Sequence, residues 1–428
     1  MIAARRSLVA LLLVATACAR SHDDQVVNQH PIHLVRPAVA PLSAVAQVGA
    51  LIFRDTTLSA SGHVACATCH DPAHAYAPGN ALAVQRGGPH GTAEGSRAVL
   101  SLRYADRAAN FMIGPDNGEQ ENVNLHDKAA LAAGFTRVRK QAGAAADPAA
   151  LIPQAGLFWD GRANTLEDQA MGPLFDSAEM ANRDPVAVAA QIRRAPWYSR
   201  LVRIFGAAML ADPARLVDEA MFAVARYEVE DPSFHPYASR YDAYLEGRAT
   251  LTAAEARGLR AFDDTARGNC AGCHIDRPSP DGRPPPFTDQ QYEALGAPRN
   301  ADLAVNRNAA YFDLGVCGPI RHDLATETQY CGMFRTPTLR NVATRHAFFH
   351  NGVFGTLEAV LHFYNFRDIA PDSVYPVGAA KFNDIPSRFR GNVDTIDAPL
   401  NRHRGDRPAM TDQDMRDIVA FLRTLTDQ

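Results

Sequence analysis

Apolar residues recur at three- and four-residue spacings through Pro185–Phe205, Pro213–Val229 and Thr252–Phe262, which predicts helices with one buried face. Thr411–Leu425 repeats the pattern, with Thr411 placed as its N-cap. The run Thr252-Ala253-Ala254-Glu255 fits a capping box, in which the threonine hydroxyl and the glutamate each satisfy a free amide of the first turn. No sustained alternation of apolar and polar residues points to a large sheet. Pro232 and Pro236 punctuate Asp231–Gly247, which reads as a linker. Two stretches carry no periodicity: the long polar Asp106–Pro153 and the proline-rich Arg277–Pro286. Loops of that length are usually functional or mobile. The pattern predicts a mainly α chain in two parts.

Composition narrows this only a little. A chain of 428 residues can bury a full core without disulfide staples. A formal net charge of -4 excludes an overall basic nucleic-acid binder, so no nucleic-acid partner is expected. The N-terminus says more. Arg5 and Arg6 precede the apolar run Leu8–Ala17, which then meets Cys18. The run is too short to span a membrane and reads as a secretory signal over residues 1–18. Cys18 is a candidate lipid-attachment residue, although Ala15 stands where a lipobox usually has leucine. The expected location is periplasmic, with the mature chain soluble or tethered by lipid at Cys18.

The cysteines carry the chemistry. Four of them form Cys66-Ala67-Thr68-Cys69-His70 and Cys270-Ala271-Gly272-Cys273-His274. C-x-x-C-H is the attachment pattern of c-type haem: two thiols reach the vinyl groups on one porphyrin edge, and the next histidine lies under the iron. A redox C-x-x-C or half a zinc site explains neither histidine. Two covalently bound haem c groups are therefore expected, with His70 and His274 as iron ligands. Cys317 and Cys331, in a Gly/Pro-rich context, are candidates for a disulfide staple, with free buried thiols as the alternative.

Two such motifs, Phe158-Trp159-Asp160-Gly161-Arg162 and Phe334-Arg335-Thr336-Pro337-Thr338-Leu339-Arg340-Asn341 together resemble the bacterial diheme cytochrome c peroxidase/MauG superfamily. The resemblance runs from about Gly49 to Leu425 and looks closest to the MauG-like diheme enzymes of Burkholderia type. It implies two cytochrome c-like domains, an N-terminal peroxidatic haem domain over 45–240 and a C-terminal electron-transfer haem domain over 248–428. By the same resemblance Trp159 mediates electron transfer between the haems, while Gln169 and Pro173 belong to the distal pocket of the His70 haem. Glu179 is the implied acid–base catalyst. Its chemical case is independent: splitting peroxide needs a proton taken from one oxygen and given to the other, which a buried carboxyl of raised pKa can do.

The sixth ligand of the second haem sets the subtype. Aligned on Leu357, the family's ligand position falls at Tyr364, with His362 and Met333 as rivals and a core tyrosine as the plain alternative. The MauG branch also has tyrosine there. His90, in Gly88-Pro89-His90-Gly91, matches the loop histidine that gates the peroxidatic haem of reductively activated members; otherwise it is an exposed loop residue. Ala98 stands where the family has an asparagine ligand of an interhaem calcium, and Arg345-His346-Ala347 replaces its T-x-P segment, which weakens the expectation of calcium. Gly268 replaces the surface tryptophan through which MauG reaches a docked protein.

The implied function is reduction of hydrogen peroxide to water, via a bis-haem high-valent state, with electrons from a small periplasmic cytochrome c or cupredoxin. The alternative is peroxide-dependent oxidation of a partner protein, as in MauG. A passive electron carrier would have no use for Glu179 or Gln169.

Overall fold

The computed structural model describes residues 25–115 and 151–428. The expected signal segment with Cys18, and most of Asp106–Pro153, lie outside the described residues. Eleven α-helices are described: α1 (Ala44–Ile52), α2 (Cys66–Cys69), α3 (Leu166–Phe175), α4 (Pro185–Ile192), α5 (Tyr198–Phe205), α6 (Pro213–Glu230), α7 (Arg240–Leu245), α8 (Ala253–Asp263), α9 (Cys270–Cys273), α10 (Leu357–Phe366) and α11 (Asp412–Arg423). Sheet is confined to three two-stranded antiparallel ribbons: β1 (Arg86–Gly87) with β2 (Ala93–Glu94), β3 (Met112–Pro115) with β4 (Leu151–Gln154), and β5 (Tyr292–Glu293) with β6 (Phe334–Arg335). The chain is mainly α. Among the described residues no helix is long and apolar enough to cross a membrane.

Two apolar cores organise the helices. The first gathers α1, α4, α5 and α6 around Phe53, Val188, Leu201, Leu216 and Val224. The second gathers α7, α8, α10 and α11 around Phe262, Phe287, Leu361, Ile418 and Phe421. Each core has one very close helix crossing made possible by glycine. A Cβ on Gly49 of α1 would lie 1.8 Å from the Ala223 carbonyl of α6, and one on Gly258 of α8 would lie 1.9 Å from that of Asp417 on α11. Any side chain there would drive the helices apart.

Caps explain where the helices start. Thr252 opens α8 with the expected capping box to Glu255, and Thr411 opens α11 with a second box to Asp414. The continuous periodicity of Pro185–Phe205 breaks into α4 and α5, because Pro196 lacks the amide that an unbroken helix would need there. The stretch Asp231–Gly247, expected as a linker, is instead packed: it holds α7 and buries Phe234, Tyr237, Tyr241 and Asp242. Arg277–Pro286 is likewise fastened, with Arg107, Arg340 and Thr338 donating to the carbonyls of Pro284, Pro285 and Pro286. Cys317 and Cys331 form a disulfide.

Ion pairs join the two cores. Arg97 is held between Asp160 (2.7 Å) and Asp313 (2.6 Å) across the two halves, while Arg340 is buried against Asp242 (2.7 Å) within the second. Asp427, near the C-terminus, accepts from Arg103, Tyr104 and Asn341.

Candidate haem sites and the residues between them

Each C-x-x-C segment is a single helical turn that ends at its histidine. His70 N donates to Cys66 O (2.9 Å) and His274 N to Cys270 O (2.8 Å). This winding puts both thiols of a pair on one side, with the imidazole directly after them. His70 Nδ1 lies 3.0 Å from Tyr76 O, and His274 Nδ1 lies 3.1 Å from Phe287 O. A ring nitrogen bonded to a carbonyl carries the proton, which leaves Nε2 as the free lone pair that iron requires. Burial pulls both imidazoles down to about 4, so each is neutral at physiological pH, as a ligand must be. None of Cys66, Cys69, Cys270 and Cys273 is in a disulfide, and burial pushes the thiols of Cys66, Cys69 and Cys270 up to about 12, 11 and 12. Two thiols outside any disulfide with an oriented imidazole directly after them fit haem attachment better than a redox pair.

Next to the first site, Glu179 sits in a tight turn after α3. The turn is held from several sides. Met180 N and Asn182 N donate to the Pro173 and Leu174 carbonyls at the end of α3, and Ala60 N donates to Met180 O. Gly88 N donates to Glu179 O (2.7 Å). The β1 ribbon presses on the turn so closely that a Cβ on Gly87 would lie 2.5 Å from Ala178 O and 2.6 Å from Glu179 O. Gly88 adopts φ +77, a conformation that favours glycine, and so lets the chain turn away towards His90. Burial, then the charge of Asp176, raises the Glu179 carboxyl to about 7, with Arg162 opposing. Glu179 in turn raises the Cys66 and Cys69 thiols, so it lies within electrostatic range of the first attachment pair. Gln169 is buried on α3, and Pro173 sits within the same helix. His90 is exposed at the tip of the β1–β2 ribbon.

Trp159 ties the two halves together. Its indole Nε1 donates to Ala98 O (2.7 Å), its carbonyl accepts from Arg335 N, and its ring borders the cavity of the second site. Neighbouring Phe158 packs on Gly172 of α3 and carries the Arg162 guanidinium 3.5 Å above its ring. The Phe158–Arg162 segment thus touches both the Glu179 unit and the His274 cavity.

The second site is a cavity with about 1630 Å³ of empty space, part of it open to solvent. Cys270, Cys273, His274 and Tyr364 all line it, among apolar side chains such as Val360, Leu361 and Leu422. That lining suits a large flat apolar ring with one polar ligand on each face. Tyr364 reaches it because α10, opened by Thr356, turns one face to the cavity. Burial, followed by Cys273 and Cys270, raises the Tyr364 phenol above its ordinary range. The rivals lie elsewhere. His362 approaches Ser373 and stacks on Phe366, and Met333 packs in a separate small cluster with Tyr292 and Val316.

In the departing calcium segments, Arg345 Nη2 donates to Val99 O (3.1 Å) and Ala347 O (3.2 Å). Among the described residues, no group of three or more His, Cys, Asp or Glu side chains could hold a metal ion. Arg335, His350 and Asp384, to which no role was assigned from sequence, all line the second cavity. Arg335 stood inside a recognised motif, but its orientation depends on the β5–β6 ribbon, which pairs residues more than 40 positions apart.

Two histidine–cysteine sites, a buried tryptophan at the edge of the second and a raised-pKa carboxyl near the first fit a diheme redox protein. Comparison agrees. Residues 43–250 match the family model described as di-haem cytochrome c peroxidase. The chain is 31% identical to the methylamine utilization protein MauG of Paracoccus denitrificans, across 90% of this chain and 89% of that one. It is 24% identical to cytochrome c551 peroxidase of Nitrosomonas europaea, across 83% and 82% of the two chains. Among solved structures, the diheme peroxidase BthA from Burkholderia thailandensis superposes with a TM-score of 0.77 at 36% identity, covering 93% of this chain and 89% of that one. The chain belongs to the di-haem cytochrome c peroxidase/MauG family and is an oxidoreductase.

Proposed function

We propose that the protein is an exported diheme peroxidase that reduces hydrogen peroxide to water at the His70 site. The observation that carries this reading is the Glu179 carboxyl, fixed by the β1 ribbon and raised to about 7 by burial beside the first attachment pair. Each haem would be held by thioethers to its cysteine pair and by its histidine, and its iron would supply the redox chemistry. Each turnover consumes two electrons and two protons per peroxide and releases two waters. Glu179, ionised, would take the proton from one peroxide oxygen and return it to the other as that one departs. A group with pKa near the working pH can do both. Gln169 and Pro173 shape the pocket. Trp159 offers the protein path between the sites, and a small cytochrome c or cupredoxin in the periplasm supplies the electrons on the His274 side.

Tyr364 favours a second reading, peroxide-dependent oxidation of a partner protein. A cation opposite His274 would favour the phenolate of a tyrosine lining that cavity, and a hard anionic ligand stabilises oxidised iron. The two readings separate when peroxide is added to the fully ferric protein and to the one-electron-reduced protein. For the peroxidase reading with His90 as a gate, the visible and near-infrared spectrum of the ferric form stays unchanged until one electron is supplied. An immediate change in the ferric form reduces His90 to a loop residue and favours the second reading.

A further inference from the structure

Buried arginines in this molecule are almost all paired. Arg97, Arg321, Arg340 and Arg367 each hold a carboxylate at 2.6–2.7 Å. Two are not. Among the described residues Arg345 has no carboxylate within ion-pair distance, and its guanidinium spends two hydrogen bonds on backbone carbonyls, Val99 O and Ala347 O. Arg335 leaves its buried Nε with no partner at all. Desolvation lowers the pKa of both, to about 10 for Arg345, and outweighs the opposing pull of Tyr292 and Asp160 on Arg335. A charge held partly out of water without a counter-charge is costly, and such groups persist where something outside the chain balances them.

Their position says what that is. Both arginines line the large cavity that contains His274, and both line a smaller cavity bordered by Ala75, Ala77 and Leu100. That second cavity adjoins the first site: His70 is bonded to the Tyr76 carbonyl between Ala75 and Ala77, and the Arg345 charge acts on His70 itself. The two cations therefore stand between the sites. Each haem brings two carboxylates, the strongest partners a planar guanidinium can find.

We propose that Arg345, seconded by Arg335, is a built-in cation that binds haem carboxylates from both sites, so that the chain requires no metal ion between its haems. The carbonyls of Val99 and Ala347 are occupied by the guanidinium, and a divalent ion brought to the same place would meet its positive charge. Arg345 is a positioning and charge-compensating residue; it touches no reacting atom of peroxide. This rests on the two-haem reading.

Potentiometric titration of haem-loaded Arg345→Gln tests it, with the haem-to-protein ratio measured first. Loss of a positive charge near both haems favours the ferric forms, so both midpoint potentials fall, and Arg345→Lys restores them most of the way. Potentials that stay put, or a fall at one haem only, overturn the proposal. Because the variant could fail to load, the wild-type protein supplies a second arm. After dialysis against a chelator it retains both potentials and carries far less than one calcium per chain. Stoichiometric calcium, or a shift that added calcium reverses, overturns the proposal. A ratio of one haem per chain would instead bring down the two-haem reading itself.

Discussion

Glu179 is the residue at which environment and chemistry meet most directly. Its carboxyl is raised to about 7 because protein surrounds it and Asp176 repels its charge. In the free enzyme the group must be ionised to accept the first proton, so kcat/KM for peroxide rises with pH through about 7 and levels off above it. A stopped-flow pH profile checks this; a profile flat from pH 5 to 8 would remove the role. None of this burial was legible from sequence. Read alone, Glu179 in Ser177-Ala178-Glu179-Met180 is an ordinary surface turn residue, and only its place after the Phe158–Arg162 segment singled it out. The cysteines and their histidines were legible outright, because their chemistry is written in adjacent positions. Arg335 and Arg345 were not, since an arginine's lack of a partner exists only in three dimensions.

At the scale of elements, the β1–β2 ribbon is small but mechanically central. It clamps the Glu179 turn at one end and presents His90 at its tip. A methyl group at Gly87 would collide with two backbone carbonyls that cannot move independently of Glu179. Gly87→Ala should therefore cost about 1–3 kcal/mol, as overpacking typically does, and lower peroxide turnover with it. Thermal unfolding and turnover measured together check this, and wild-type values for both would contradict the clamp. Helices with clean caps, such as those opened by Thr252 and Thr411, could be read from the sequence. The two-residue ribbons could not, because so short a strand leaves no period to detect.

Across the whole molecule, the two cores meet at charged and aromatic groups rather than at a greasy face. Arg97 links Asp160 of the tryptophan segment to Asp313 of the second half, and Trp159 lies directly beside that pair. Residues 25–36 run back along the second half, where Val26 bridges Leu251 and Arg36 pairs with Glu246. This N-terminal strap could not be anticipated, since neither segment has a periodicity that names its partner. Such an interface fixes Trp159 by its bonds to Ala98 and Arg335, beside the second cavity. The central claim is that peroxide is reduced at the His70 site with Glu179 moving the proton. Glu179→Gln keeps the shape of the side chain and removes its basicity. Peroxide consumption coupled to oxidation of a reduced small cytochrome c should fall by about 10²–10⁴-fold, with two haems still attached per chain. Turnover within a few-fold of wild type at the same haem content would contradict the account.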